Sequence, residues 1–413
     1  MLRVGVDALA VERMAAALRR SGSGFLAKSF TPAELAYCQD DPQRLAGRWA
    51  AKEAVIKCFD RTPICFRRKQ IEVLGSATGA PVVRLLGAGL LGARVEVSIT
   101  HHSGMAVANA LLEMPEGAAA LAAVPPVPEA VKMPQRPPEG HKGTFGEVVA
   151  IAGSLGLTGA AYLCSTAAAR AGAGTVRLLV AQTVYPVLAV KCTEVMATPL
   201  QEGAPGALGP ASRPQIDGQL ERAAACVLGP GLGGAEQTRK LVCDLVPGIR
   251  CALVIDADGL NALAANREMR GRLGPNRVLT PHPGEMSRLT GRPTAEIQQN
   301  RHQVAREAAR EWGAVVVLKG ARTVVAEPGG QLSEDPHEVP ALATGGTGDV
   351  LGGVIAGLLA QGLEPYQAAV SGVYVHAEAG RRISARIGDS GLLASDLLDE
   401  LPPTMKALRD LGR

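Results

Sequence analysis

In the stretch ALATGGTGDVLGG, residues 341–353, Gly345, Gly346, Gly348, Gly352 and Gly353 surround a single carboxylate, Asp349. The residues that follow, DVLGGVIAGLLAQG, read as a helix, so Asp349 falls in its first turn. A helix start offers unpaired N–H groups and the positive end of a dipole, both suited to phosphate. Glycines let that backbone approach an anion with no Cβ in the way. A carboxylate held there could take the proton of an attacking hydroxyl. It could equally do no more than cap its own helix, and the stretch by itself leaves both open.

Other chemistry-bearing residues recur at the ends of apolar runs. GSLGLTGA, residues 153–160, is Gly-rich but lacks the Lys and Ser/Thr of a phosphate-binding P-loop. LGPGLGG meets the G-x-G-x-x-G spacing through Gly229, Gly231 and Gly234, with Asp256 following near the next strand end. That pattern fits a dinucleotide fingerprint or an ordinary strand-to-helix turn, and Pro230 removes one of its N–H donors. DADGLN, TPHPGE and LKGART add Asp258, Asn261, His282, Glu285, Lys319 and Thr323. Near the N-terminus Asp7 directly follows a short apolar strand. RLAGRWAAKEAVIKCF reads as a helix carrying Lys52, Glu53 and, one turn on, Lys57. His101 and His102 end the strand EVSITHH.

Two kinds of element position these residues. Before residue 115 the pattern predicts a strand at 3–6, helices at 10–20 and 32–58, and strands at 71–74, 82–86 and 95–100. Beyond residue 138, EVVAIAG, TVRLLVA, ACVLGPG, ALVIDAD, RVLTPHP and VVVLKG are short apolar strands, most of them separated by helical stretches. Such alternation predicts a mostly parallel sheet with ligands at its carboxyl edge. Seven prolines between Met114 and Gly140 favour an extended linker. The expected domains are therefore 1–115 and 139–413, joined by a Pro/Ala-rich linker over 116–138. No internal repeat is evident.

Composition narrows the partners. Aromatic residues make up only 3% of the chain, which argues against a base-stacking nucleic-acid surface. No apolar run reaches about 18 residues, and the first residues lack an apolar signal-peptide core. Eight scattered cysteines without a CxxC pair suit a reducing cytoplasm. The net charge of +4 is uneven. Residues 1–115 hold 15 Lys and Arg against 10 Asp and Glu, which fits either an acidic or phosphorylated partner for the smaller domain or simply a soluble basic surface, and composition leaves both open.

From HKGTFGEVVAIAGSLGLTGA through GPGLG, DADGLN, LTPHPGEMSRLTG, LKGARTVVA and GGTGDVLGGVIAGLLAQG to GDSGLLASDLLDELP, seven ordered motifs cover residues 139–405. Together they resemble the ADP-dependent NAD(P)H-hydrate dehydratase family. The resemblance implies an α/β ribokinase-like fold with a mostly parallel sheet and flanking helices. It implies repair of hydrated NADH and NADPH (NADHX and NADPHX): phosphorylation of the ring 6-hydroxyl of the S epimer by ADP or ATP, then loss of phosphate. Carried over residue by residue, Ala160, Gly231, His282 and Asp349 would contact the hydrate. Lys319, Gly320, Ala321, Arg322, Thr323 and Gly348 would hold the nucleotide. Asp349 would be the catalytic base, and the N–H groups of Gly345 to Gly348 would stabilise the transferred phosphoryl group. Mg²⁺ is expected with the nucleotide.

GVDALAVERM, FTPAELAYC, the KEA helix, GAPVVRLLG and EVSITHHSG resemble the holo-acyl-carrier-protein synthase family of 4′-phosphopantetheinyl transferases over nearly all of residues 1–113. That implies an α+β phosphopantetheinyl-transferase fold, coenzyme A as co-substrate, an apo acyl carrier protein as acceptor and assembly into a homo-oligomer. Asp7 and the catalytic Glu53 would bind Mg²⁺. Arg13, Lys52, Lys57 and His101 would face coenzyme A. FDRTPICFRRKQ departs from the Gly-rich stretch expected after the KEA helix. The reading is thus a cytoplasmic fusion of the two enzymes. Two alternatives stay open: a ribokinase-like vitamin or sugar kinase in the second domain, and a first domain serving only as a carrier-protein docking or trimerisation module.

Overall fold

The structure is a computed structural model that describes residues 2–59, 68–76, 79–86, 94–113 and 127–411. It divides into two compact units, Met1–Pro126 and Val127–Arg413.

The first unit runs β1 (Leu2–Ala10), α1 (Val11–Ser29), α2 (Pro32–Cys38), α3 (Pro42–Cys58), β2 (Ile71–Gly75), β3 (Pro81–Leu85), β4 (Arg94–His102) and β5 (Met105–Glu113). β1, β5 and β4 form an antiparallel sheet with β5 in the middle, and β2 pairs with β3. Three expectations change. The helix expected to stop at Arg20 continues through the Ser/Gly run to Ser29, where Phe25 stacks on Trp49 with ring centroids 5.3 Å apart. Packing of that last turn outweighs the low helix propensity of glycine. The single helix expected over 32–58 is two, because Gln39 and Asp40 take positive φ and Asp41 caps a new helix with Pro42 in its first turn. β5 was not foreseen. Its inward residues Ala106, Ala108 and Ala110 are poor strand formers, but their small size lets α3 lie on the sheet. Gly5 serves the same approach, since a Cβ there would overlap the Ala54 carbonyl.

The opposite sheet face is exposed: apolar along β1 and polar along β4, where Arg94, Glu96, Ser98 and Thr100 share it. Leu2, Val4 and Val6 of β1 are 66%, 68% and 49% exposed, and Leu111 lies across the ladder from Val4.

The second unit runs β6 (Glu147–Ile151), α4 (Thr158–Arg170), β7 (Thr175–Ala181), α5 (Tyr185–Lys191), β8 (Met196–Leu200), β9 (Glu202–Ala204), β10 (Ala207–Leu208), α6 (Arg213–Leu220), β11 (Ala225–Leu228), α7 (Glu236–Leu245), β12 (Ala252–Ile255) and α8 (Asp258–Ala265). It continues with β13 (Arg277–Leu279), α9 (Pro283–Thr290), α10 (Thr294–Gln299), α11 (Arg301–Trp312), β14 (Val315–Leu318), β15 (Val324–Ala326), β16 (Leu332–Glu334), α12 (Thr347–Ala360), α13 (Pro365–Ile387) and α14 (Ala394–Leu411). All six expected strands form, within a nine-stranded sheet ordered β16-β15-β14-β13-β12-β11-β6-β7-β8. It is parallel from β14 to β8, with β15 and β16 added antiparallel. Continuous apolar runs such as Val148–Ile151 and Val315–Leu318 are buried, as a sheet covered on both faces requires.

Residues 116–126 of the expected linker lie outside the described residues, as do 60–67 of the FDRTPICFRRKQ segment. Residues 127–138 belong with the second unit: the Lys132 N–H donates to Ser371 Oγ at 2.8 Å, and the Arg136 guanidinium covers the Phe145 ring at 3.8 Å.

Candidate functional site

The carboxyl ends of the parallel strands bring the singled-out residues of the second unit to one edge. β12 delivers Asp256, which is only 1% exposed. Its Oδ1 accepts from Thr280 Oγ1 at 2.7 Å and from Lys319 Nζ at 2.8 Å, the latter arriving from the end of β14. Glu285 Oε2 lies 3.8 Å from the same ammonium. Burial works against that ammonium, but Asp256 and Glu285 outweigh it and hold the Lys319 pKa above its ordinary value. A Cβ on Gly348 would stand 3.3 Å from Lys319 Nζ, so the start of α12 is right above the lysine.

Asp349 follows at that first turn. Burial first, and then the negative charge of Asp256, push its carboxyl up to about 7, with Lys319 opposing. A carboxylate poised near neutrality is suited to general-base work. The five glycines divide their labour. Gly346 takes φ +92° as the helix begins. Gly352 and Gly353 serve packing instead: a Cβ on Gly353 would overlap the Cys164 carbonyl of α4, and one on Gly352 would sit 3.5 Å from Asp256 Oδ2.

Gly229 and Gly231 both have positive φ, and a Cβ on Gly229 would overlap the Asp256 carbonyl. This is a tight strand-to-helix turn, with Asp256 turned inward to Lys319 rather than free for a ribose. Gly231 abuts Ala160, the would-be Cβ lying 2.9 Å from the alanine methyl. His282 caps α9, its Nδ1 accepting from Gly284 N–H at 3.0 Å. Burial lowers the His282 pKa, Glu285 opposing, so the ring is neutral at neutral pH.

Beside this edge opens a cavity of about 380 Å³. Five of the six residues expected for the nucleotide line it: Lys319, Gly320, Ala321, Thr323 and Gly348. Arg322 is not among them. It takes φ +55° and turns its guanidinium to Glu334 and Glu338, at 3.4 and 3.5 Å. Sequence reasoning missed Asp335, His337 and His376 in the lining. The run EDPHEVP carried the only local signal, an Asp and a His two apart in a Pro-rich loop. His376 Nε2–H donates to the Thr347 carbonyl, 2.9 Å away, and burial drops the ring's pKa to about 4.

In the first unit Lys57 Nζ bonds Asp7 Oδ1 and the Val6 carbonyl, both at 2.8 Å. Glu53, one turn earlier on α3, pairs with Arg68. Asp7 comes from β1 and Glu53 from α3, two elements packed on each other; each carboxylate is paired with a cation, and among the described residues no group of three or more His, Cys, Asp or Glu could hold a metal ion. Arg13 is exposed on α1. His101 Nε2 lies 3.0 Å from the Gln43 carbonyl. Lys52 corrects the expectation. It is fully buried, with Nζ bonded to Glu34 at 2.6 Å and to the Ser29 and Arg68 carbonyls, so it braces the fold and does not face coenzyme A.

A mostly parallel sheet between helix layers, with a Gly-rich helix start over a buried Lys–Asp pair, defines the second unit as a ribokinase-like fold. A ribokinase-like superfamily protein from Enterococcus faecalis superposes with a TM-score of 0.59 at 26% identity, over 66% of this chain and 91% of its own. Residues 148–403 match the family model described as NAD(P)H-hydrate dehydratase, and the chain belongs to that family. Residues 3–108 match the 4′-phosphopantetheinyl transferase superfamily.

Among its relatives, the bifunctional NAD(P)H-hydrate repair enzyme Nnr of Moorella thermoacetica is 48% identical over 283 residues, 68% of this chain and 53% of that protein. The ADP-dependent (S)-NAD(P)H-hydrate dehydratase of Xanthomonas campestris is 37% identical over 66% of this chain and 92% of its own. The Bacillus subtilis ADP/ATP-dependent NAD(P)H-hydrate dehydratase, co-crystallised with ATP/Mg²⁺, superposes with a TM-score of 0.57 at 34% identity, covering 66% and 93%. The chain spans about half the length of the bifunctional relatives it matches. No described helix is long and apolar enough to cross a membrane.

Proposed function

We propose that the second unit dehydrates the S epimer of hydrated NADH and NADPH at the expense of ADP or ATP. The observation that carries this reading is the cavity lined by Lys319, Gly320, Ala321, Thr323 and Gly348, with Asp349 next in the chain at the first turn of α12. Asp349 takes the proton of the ring 6-hydroxyl. The freed oxygen accepts the terminal phosphoryl group of the nucleotide, while Lys319 and the N–H groups of residues 345–348 balance the charge on it. Breaking the C6–O bond then expels phosphate, and loss of the neighbouring proton restores the ring double bond. Ala160, Gly231 and His282 hold the hydrate. Mg²⁺, when bound with the nucleotide, neutralises phosphate charge. On mixing with hydrated NADH and Mg²⁺, NADH absorbance is expected to return with ADP or ATP and not without nucleotide. Absence of recovery with either would sink this reading and turn attention to a small-molecule kinase.

The first unit is proposed to move 4′-phosphopantetheine from coenzyme A to a serine of an apo acyl carrier protein. Asp7 and Glu53 would hold Mg²⁺, which supplies charge for the coenzyme A pyrophosphate. Arg13, Lys57 and His101 would face coenzyme A, and the basic balance of residues 1–115 would steer an acidic carrier protein. Coenzyme A titration of the full chain should tighten with Mg²⁺, and Asp7→Asn should remove that dependence. Mg²⁺-independent or absent binding would leave only a docking role. The open face of Leu2, Val4, Val6 and Leu111 supports a homo-oligomer in which another copy covers it. A monomer in sedimentation equilibrium would refute that. No disulfide joins the seven described cysteines, which fits a place in the cytoplasm.

A further inference from the structure

Three buried titratable side chains beside the cavity have no part in the chemistry above. His337 sets Nδ1 2.9 Å from Asp335 Oδ1 and Nε2 3.1 Å from Glu378 Oε2. Asp335, His337 and Glu378 are 7%, 4% and 0% exposed. An ionised carboxylate can only accept, so a ring flanked by two of them carries hydrogen on both nitrogens, as an imidazolium. Glu378 in turn accepts from Arg381 Nε and Nη2 at 2.6 and 2.7 Å, and Arg382 Nε lies 3.4 Å away. Arg382 continues to Glu400 of α14 at 3.0 Å. The edge of the Tyr374 ring completes the enclosure, 4.8 Å from the imidazole between centroids.

The same segment is stitched to the loop that follows β14. The Arg322 N–H donates to the His337 carbonyl at 3.3 Å, and the Asp335 N–H donates to the Thr323 carbonyl at 2.8 Å. Arg322 has φ +55°, a backbone state that a residue with a side chain holds only when its surroundings enforce it. Asp335 and His337 also line the cavity together with Lys319, Gly320, Ala321 and Thr323. A chain of charge therefore runs from α13 and α14 into the wall that shapes this loop.

We propose that His337, gripped between Asp335 and Glu378, is a positioning residue that holds the Lys319–Thr323 loop in shape for a nucleoside di- or triphosphate. The proposal rests on the reading of this cavity as the nucleotide site. The charged and titratable groups facing the ring or its partners are Asp335 on its own segment, Glu378, Arg381, Arg382 and Tyr374 on α13, and Glu400 behind them on α14. Burial opposes the charged ring, but the two carboxylates outweigh it and raise the His337 pKa above its ordinary value. Nucleotide affinity is accordingly highest on the acid side of that raised value and declines as pH rises through it. There the ring loses one hydrogen and turns a lone pair toward a carboxylate.

The test is calorimetric titration of the full chain with ADP between pH 6 and 9.5, for the wild type, His337→Gln and Asp335→Asn. At pH 7 His337→Gln is expected to bind ADP about tenfold more weakly, the loss of one charge-assisted hydrogen bond, and to show no alkaline decline. Asp335→Asn keeps the ring but removes one charge that favours its proton, so the decline moves to lower pH. The KM for hydrated NADH stays put in both. Wild-type affinity in His337→Gln, an unchanged alkaline decline, or a hydrate KM that rises in step would overturn the proposal. If His337→Gln does not fold, the shifted midpoint of Asp335→Asn decides. A wild type that binds no ADP at any pH would instead overturn the nucleotide reading beneath it.

Discussion

Asp349→Asn is expected to abolish the nucleotide-dependent return of NADH absorbance, by about 10²- to 10⁴-fold in kcat, the range of a lost general base. ADP binding should survive, because the cavity lining does not include the Asp349 side chain. The wild-type rate should rise with pH through about 7, where the carboxyl gives up its proton. The stability sign is opposite. A carboxyl whose folded pKa lies above its unfolded value binds more protons when folded, so it destabilises progressively as pH rises from the ordinary range to about 7. Asp349→Asn should therefore melt at a higher temperature than the wild type at pH 8, and the gap should close toward pH 4. An inactive variant that melts lower at pH 8 would show that Asp349 caps its helix and is not a strained base.

Lys319→Met is expected to act twice. Asp256, buried and bonded to Thr280, would lose its ammonium, at a cost of about 3 kcal/mol for an uncompensated buried charge. The cavity would lose its only lysine among the residues that line it, so ADP affinity should fall steeply. The double variant Lys319→Met, Asp256→Asn separates the two effects. It should recover stability in urea unfolding, since no lone charge remains, yet still fail to bind ADP. If the single variant unfolds like the wild type, the Lys319–Asp256 pair is not a brace. If it binds ADP as the wild type does, the lysine is not a phosphate ligand.

The Lys319–Asp256 pair also shows why the acid can stand alone in its glycine-rich stretch. Its tuning comes from burial and from groups on other elements: Asp256 at the end of β12, Glu285 on α9 and Lys319 at the end of β14. A parallel sheet assembles such groups at one edge because every strand points its carboxyl end the same way. Asp258 joins them by accepting the Gly233 N–H at 2.8 Å.

Much of this was legible in the amino-acid order because the chemistry sits at strand ends, where short apolar runs stop at Gly, Pro or Asp. All six expected strands and the Gly-rich helix start were readable because each depends on local pattern, whereas the five cavity-lining residues came from the family resemblance that the ordered motifs carry. What the order of residues could not show is which distant groups meet. Lys52 reads like its neighbour Lys57 on one helix, yet one is sealed against Glu34 and the other reaches Asp7 at the surface. The difference lies in what packs on each side of α3, which is decided by β1, α2 and the 68–70 turn together. Asp335, His337 and Glu378 lie up to 43 residues apart in sequence and meet only because α13 passes behind the loop after β16. Burial then sets their charge states, as it sets that of Asp349. Residue types and spacing pointed to the strands and the glycine-rich turns, and the resemblance their ordered motifs carry gave the reactions to expect; the tertiary structure alone decided which charges are paired, which are buried and which line the cavity.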